Sequence, residues 1–130
     1  MAQHDQRFFI CKHCGNLVGM IHNAGVPIIC CGEPMQELVA NSTEAAGEKH
    51  LPVVKVEGNK VSVEVGSTHH PMTEEHSIQW IYLETKHGGQ RKRLCPDEAP
   101  KAEFALTDDE PVSVYAYCNL HGLWRTMIEK

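Results

Sequence analysis

Six cysteines and nine histidines in 130 residues are the side chains most able to do metal chemistry here, and their spacing sorts them into groups. Near the C-terminus, Tyr117-Cys118-Asn119-Leu120-His121-Gly122 sets a thiolate donor and an imidazole donor three residues apart. Such a pair alone carries little weight, because unrelated loop residues produce it as readily. The histidines upstream raise it: His50, the doublet His69-His70 before Pro71, and His76. At the other end of the chain, Cys11-Lys12-His13-Cys14-Gly15 and Cys30-Cys31-Gly32 are two cysteine pairs, each followed by a glycine that permits a tight turn. Four thiols in a segment too short for its own core read as a tetrathiolate staple. Zinc is the general expectation for four cysteines. The adjacency of Cys30 and Cys31 departs from the zinc-ribbon spacing and, with the rest of the chain, favours a mononuclear iron.

The elements that must position these donors are strands. Phe8-Phe9-Ile10 leads into the first cysteine pair, and Met35 to Val39 closes the N-terminal module. Asn41 to Gly47 is a polar, small-residue bridge in which Ser42 or Thr43 can cap a short helical turn. We place the boundary there, with a metal-stapled module over residues 1–38 and a second domain over residues 39–130. In that second domain, Val53–Glu57, Lys60–Val65, Ser77–Glu84, Gln90–Leu94, Lys101–Leu106, Val112–Tyr117 and Leu123–Ile128 are β-branched, aromatic or alternating runs. Gly58-Asn59 joins the first two as a hairpin turn, and helical periodicity is nearly absent. Seven short strands predict an immunoglobulin-like β-sandwich without the antibody cysteine pattern. Trp80 and Trp124 read as core residues. His50, His70, His76, Cys118 and His121 all fall on connections between strands, where a rigid sandwich concentrates function.

Composition excludes several classes. An apolar content of 42% supports a real core, and no run is long enough to cross a membrane. A net charge of −5, with no basic run interleaved with aromatics, argues against nucleic acid as partner. The polar segment from Met1 to Arg7 lacks the apolar stretch of a secretory signal, so a cytoplasmic location is expected. There, cysteines serve as metal ligands or free thiols rather than disulfides. His4, His13, His22 and His87 read as solvated or turn residues and Cys95 as a free thiol. Lys86, Arg91, Lys92 and Arg93 form a solvated strand face or a docking patch.

Taken together, these motifs resemble the desulfoferrodoxin family, the two-domain form of superoxide reductase. The resemblance runs along nearly the whole chain. It is carried by the two cysteine pairs, Glu48-Lys49-His50-Leu51-Pro52-Val53, His70-Pro71-Met72, Glu75-His76, Ile78-Gln79-Trp80-Ile81 and Tyr117 to Trp124. It implies that His50, His70, His76 and His121 are equatorial ligands of one iron and that Cys118 is its axial thiolate. It implies a second, rubredoxin-like iron on Cys11, Cys14, Cys30 and Cys31 in a desulforedoxin-like module, hence two mononuclear irons per chain. The family's ligand is the histidine directly before proline, which leaves His69 exposed. Glu48 takes the place of a carboxylate that can occupy the sixth iron position in the oxidised resting state, and Lys49 that of a cation beside the metal. The resemblance also implies a homodimer and an external electron donor such as rubredoxin.

Five donors leave one octahedral position open, whereas structural zinc takes four and leaves none. That is the arrangement for a redox metal that binds a substrate. The expected activity is one-electron reduction of superoxide to hydrogen peroxide. Two other readings compete: a rubredoxin-like electron carrier whose second iron is only a relay, and a dismutase. An open position speaks against the first, and a thiolate that stabilises ferric iron speaks against the second.

Overall fold

The computed structural model describes residues 6–129 except 44, 46, 68 and 69. His4 and His69 lie outside the described residues. The chain divides into two compact units, Met1–Val39 and Ala40–Lys130. Among the described residues no helix is long and apolar enough to cross a membrane.

The first unit is built from short strands. β1 (Arg7–Ile10) pairs antiparallel with β2 (Leu17–Met20), and β3 (Ile29–Cys30) pairs with β4 (Glu33–Pro34). β5 (Gln36–Glu37) returns to the free edge of β1. There the Arg7 guanidinium grips Glu37 through two nitrogens at 2.7 and 2.8 Å, which holds the Glu37 carboxyl below its ordinary range. Only Phe8, Cys11 and Met35 are buried among the described side chains of this unit. Such a small core cannot offset chain entropy by itself, so a covalent or metal staple is needed.

The second unit opens with one turn of helix, α1 (Gly47–His50), and continues entirely in strands. These are β6 (Pro52–Glu57), β7 (Lys60–Val65), β8 (Ile78–Thr85), β9 (Gly88–Arg93), β10 (Lys101–Ala105), β11 (Pro111–Cys118) and β12 (Gly122–Met127). They form two sheets, ordered β10-β7-β6 and β12-β11-β8-β9. Alternation explains the layering: Val61, Val63 and Val65 on β7 and Ala102 and Phe104 on β10 face Ile81 and Leu83 on β8 and Val114 and Ala116 on β11. The seven-stranded sandwich expected from the pattern is therefore present, with one core between its sheets.

Three local expectations need correction. Cys118 is the last residue of β11, paired with Gly122 and Ile78, and not a loop residue. The sandwich core accepts its sulfur as it would a small apolar group, so the strand continues one residue further. The strand read as Gln90–Leu94 is β9, which begins two residues earlier, at Gly88. The Tyr82 ring lies across Gly89 and leaves no room there for a Cβ, which makes the glycine a packing partner. Neither Ser42 nor Thr43 caps α1, which begins at Gly47; the Thr43 hydroxyl instead donates to the carbonyl of His121.

Candidate metal centres

In the first unit the Cys11 knuckle is closed by the backbone. The Gly15 N–H donates to the Cys11 carbonyl at 2.8 Å, and Gly15 takes a φ of +84° that favours glycine. The second pair turns on Cys31 and Gly32, with φ values of +53° and +79°. Two successive left-handed residues are how adjacent cysteines present both sulfurs to one point. All four sulfurs lie within 4.8 Å of one another, and Cys14 Sγ and Cys30 Sγ are 3.6 Å apart. A tetrahedral ion with metal–sulfur bonds of about 2.3 Å would set them about 3.8 Å apart. Backbone N–H groups, that of Cys14 foremost, pull the Cys11 thiol down to about 6. Cys31, hydrogen-bonded to Cys11 and Cys14, is pushed up to about 12. Four thiolates packed this closely repel one another unless a cation lies between them. His13 is outside this group; it is exposed and pairs with Glu33 at 2.5 Å.

In the second unit, separate connections deliver donors to one end of the sandwich. His50 closes α1 just before β6; His70 and His76 lie between β7 and β8; Cys118 and His121 flank the turn into β12. Gly122, at φ +82°, makes that turn possible. The four imidazoles form a closed ring. His50 meets His70 and His121 at centroid distances of 4.7 and 4.8 Å, and His76 meets the same two at 4.7 and 5.0 Å. Each contact is edge-on, with interplanar angles between 74° and 84°. Edge-on packing directs nitrogens, rather than ring faces, at the common centre.

Individual atoms sharpen this. His50 Nε2 and His121 Nδ1 are 3.0 Å apart; two nitrogens bound cis to a metal at about 2.1 Å would also stand about 3.0 Å apart. Cys118 Sγ, wholly buried, is 3.9 Å from His121 Nδ1. The His70 Nδ1–H donates to the Pro71 carbonyl at 2.7 Å, which assigns its proton and leaves Nε2 with a lone pair. That Nε2, and the Nε2 of His76, are buried with no hydrogen-bond partner among the described residues. Buried nitrogens left unpaired are costly, and a cation at the centre of the ring would satisfy them. Ligand atoms of His50, His76, Cys118 and His121 lie within 4.8 Å of one another. His70 completes the ring but is not one of that tightest group. Burial pushes His70 down to about 4 and lowers His76, so both are neutral at physiological pH, as metal binding requires. The donor set therefore fits a metal with more than four ligands.

Glu48 and Lys49 are exposed on α1, directly before His50. The positive charge of Lys49 contributes, after burial and His121, to the lowering of His76. Cys95 is exposed, its N–H bound by Glu98, and His87 is an exposed turn residue paired with Asp109. Asn119 was missed by sequence reasoning as a participant. Its Oδ1 accepts the Ser77 N–H at 3.0 Å and its Nδ2 donates to the Glu75 carbonyl at 2.9 Å. It thereby clasps both sides of His76 to the turn that carries Cys118 and His121. The signal was available, since an asparagine next to a donor in a turn commonly bonds backbone.

The same two-unit arrangement is found in known proteins. The family described as desulfoferrodoxin matches residues 42–127, and its N-terminal domain matches residues 4–38. The chain belongs to the desulfoferrodoxin family. A desulfoferrodoxin homolog of Archaeoglobus fulgidus is 47% identical over 89% of this chain and 92% of its own length. The superoxide reductase of Treponema pallidum superposes with a TM-score of 0.79 at 44% identity, covering 94% of this chain and 98% of that one. The superoxide reductase of Giardia intestinalis superposes with a TM-score of 0.56 at 37% identity, covering 64% of this chain and 99% of that one. A desulfoferrodoxin of this kind carries a four-cysteine site and a four-histidine, one-cysteine site, and both are seen here.

Proposed function

We propose that the chain is a superoxide reductase in which His50, His70, His76, His121 and Cys118 hold one iron and Cys11, Cys14, Cys30 and Cys31 hold another. The observation that carries this reading is the closed ring of four imidazoles with unspent nitrogens beside a buried cysteine sulfur. Five donors exceed the four of structural zinc and leave room for a substrate. The relatives named superoxide reductase support superoxide as that substrate.

When bound, the iron of the histidine site supplies one electron to superoxide, which leaves as hydrogen peroxide after taking up two protons. The chain's own residues prepare that step. Burial keeps His70 and His76 neutral, and the Pro71 carbonyl holds the His70 proton on Nδ1. The Cys118 thiolate makes its side of the site electron-rich. Lys49 concentrates a small anion at the exposed mouth of a protein of net charge −5, and it can hold the water that gives the first proton. Glu48, on the same turn, would offer a carboxylate to a bound iron in the resting state.

The same reading assigns residues 1–38 to a desulforedoxin-like iron domain and 39–130 to the catalytic sandwich. It takes the working form as a cytoplasmic homodimer and the electron source as a small carrier protein such as rubredoxin. The test is stoichiometric. Reduced, iron-loaded protein with an electron donor is mixed with superoxide, and peroxide and oxygen are counted. One peroxide per superoxide, with donor oxidised and no oxygen evolved, is expected. Half a peroxide with oxygen would make it a dismutase, and no consumption above background would make it an electron carrier.

A further inference from the structure

Trp124 lies on β12 opposite Ala116 and is buried, with 4% of its surface exposed. It stands apart from the cluster of side chains that fills the sandwich. Two of its contacts are to donor residues. The indole stacks on the His50 ring at a centroid distance of 5.0 Å and an interplanar angle of 20°. Its Nε1–H donates to the His121 carbonyl at 3.1 Å, the same oxygen that accepts the Thr43 hydroxyl. One side chain thus touches two imidazole residues that are far apart in sequence.

An imidazole lone pair lies in the ring plane, so rotation of the ring about its bond to Cβ moves the lone pair off its target. Terminal torsions of this kind have broad minima and are poorly held by rotamer preference alone. The two histidines next to His50 touch it edge-on, at 76° and 84°, which leaves a face of the ring for an indole to fix. Offset stacking of aromatic rings is favourable beyond burial and holds the two planes near parallel. At His121 the ring is steered through its backbone, because a carbonyl held by two donors cannot swing and carry the side chain with it.

We propose that Trp124 is a positioning residue of the histidine site, setting the His50 ring plane through its indole face and the His121 backbone through its N–H. This rests on the reading of that site as a metal centre. Partners of this outer kind change metal affinity by about 10–100-fold when removed. Trp124→Phe keeps a stacking face without the N–H; Trp124→Leu keeps neither.

The experiment titrates cobalt(II) into the metal-free, full-length protein and follows the absorption bands of each site, with the four-cysteine site as internal reference. Wild type is expected to bind two ions. Trp124→Leu should weaken the histidine site about 10–100-fold and shift its cobalt bands, and leave the cysteine site unchanged. Trp124→Phe should recover most of that loss. Equal affinity and equal bands in wild type and Trp124→Leu overturn the proposal. A second measurement guards against a Leu variant that unfolds. In Trp80→Phe the remaining tryptophan is Trp124, and filling the histidine site should quench its emission; unchanged emission overturns the stacking. If wild type binds one ion only, at the cysteines, the metal-centre reading itself fails and the positioning role falls with it.

Discussion

His50 Nε2 and His121 Nδ1 stand 3.0 Å apart although 71 positions separate them in the chain. One donor ends the helical turn before β6 and the other sits in the turn before β12. Two imidazole nitrogens brought this close need either a shared proton or a cation. The orphaned nitrogens of His70 and His76 beside them favour the cation, because one proton cannot serve four rings.

Replacing the buried sulfur tests that centre directly. Cys118→Ser should leave the sandwich folded, since the side chain is nearly the same size, and should remove the thiolate-to-iron charge-transfer band and the activity. An iron-loaded variant with an unchanged visible spectrum would show that Cys118 is no ligand.

Lys49 is exposed, so its removal should cost little stability. Lys49→Ala should slow the second-order reaction with superoxide about tenfold and flatten its dependence on ionic strength, with iron content unchanged. Pulse radiolysis at two salt concentrations measures both. A variant as fast and as salt-sensitive as wild type would remove Lys49 from the reaction.

Asn119 makes two side-chain hydrogen bonds across the His76 loop. Asn119→Ala should destabilise the second unit by about 2 kcal/mol, at about 1 kcal/mol net for each bond lost. It should also loosen metal at the histidine site more than at the cysteines. Urea unfolding of the metal-free protein separates the first effect from the second.

The units differ in what holds them. The first buries only Phe8, Cys11 and Met35 among its described side chains, whereas the second has a core cluster of twelve buried residues among those described. Stripping metal with a chelator should therefore unfold the first unit and leave the sandwich native. Amide signals in an NMR spectrum should collapse for Phe8 to Glu37 alone; a native-like first unit without metal would contradict this.

Acid should act on the loop after β10. The Thr85 hydroxyl, at 2.6 Å, and the N–H groups of Glu110 and His87 hold Asp109 below its ordinary value. A carboxyl depressed in the fold stabilises at pH above its unfolded value, and that stability is lost as pH falls through the lowered one. Thr85→Val should thus reduce stability at neutral pH and blunt the further loss below about pH 4. Denaturation midpoints across that range would read it.

Much of this protein is determined locally. Period-two alternation in Lys60–Val65 and Lys101–Ala105 makes strands that can bury one face, whatever else the chain does. Glycines behind Cys14 and Cys31 make turns that can wrap an ion, and the donor types themselves, thiol and imidazole, restrict what that ion can be. These are properties of adjacent residues, so the order of residues carries them.

Other features exist only once distant segments meet. Trp124 reads as an ordinary core residue in sequence, and nothing next to it reveals His50 stacked upon it. Asn119 and Thr43 reach Glu75, Ser77 and His121, whose positions are set by sheet register. Which histidine nitrogen is free depends on a proton held by the Pro71 carbonyl and on burial, and Gly89 is demanded by a tyrosine on the neighbouring strand. Donor identity is written in the chain; ring orientation, tautomer and desolvation depend on distances across the fold, which only the packed sandwich decides.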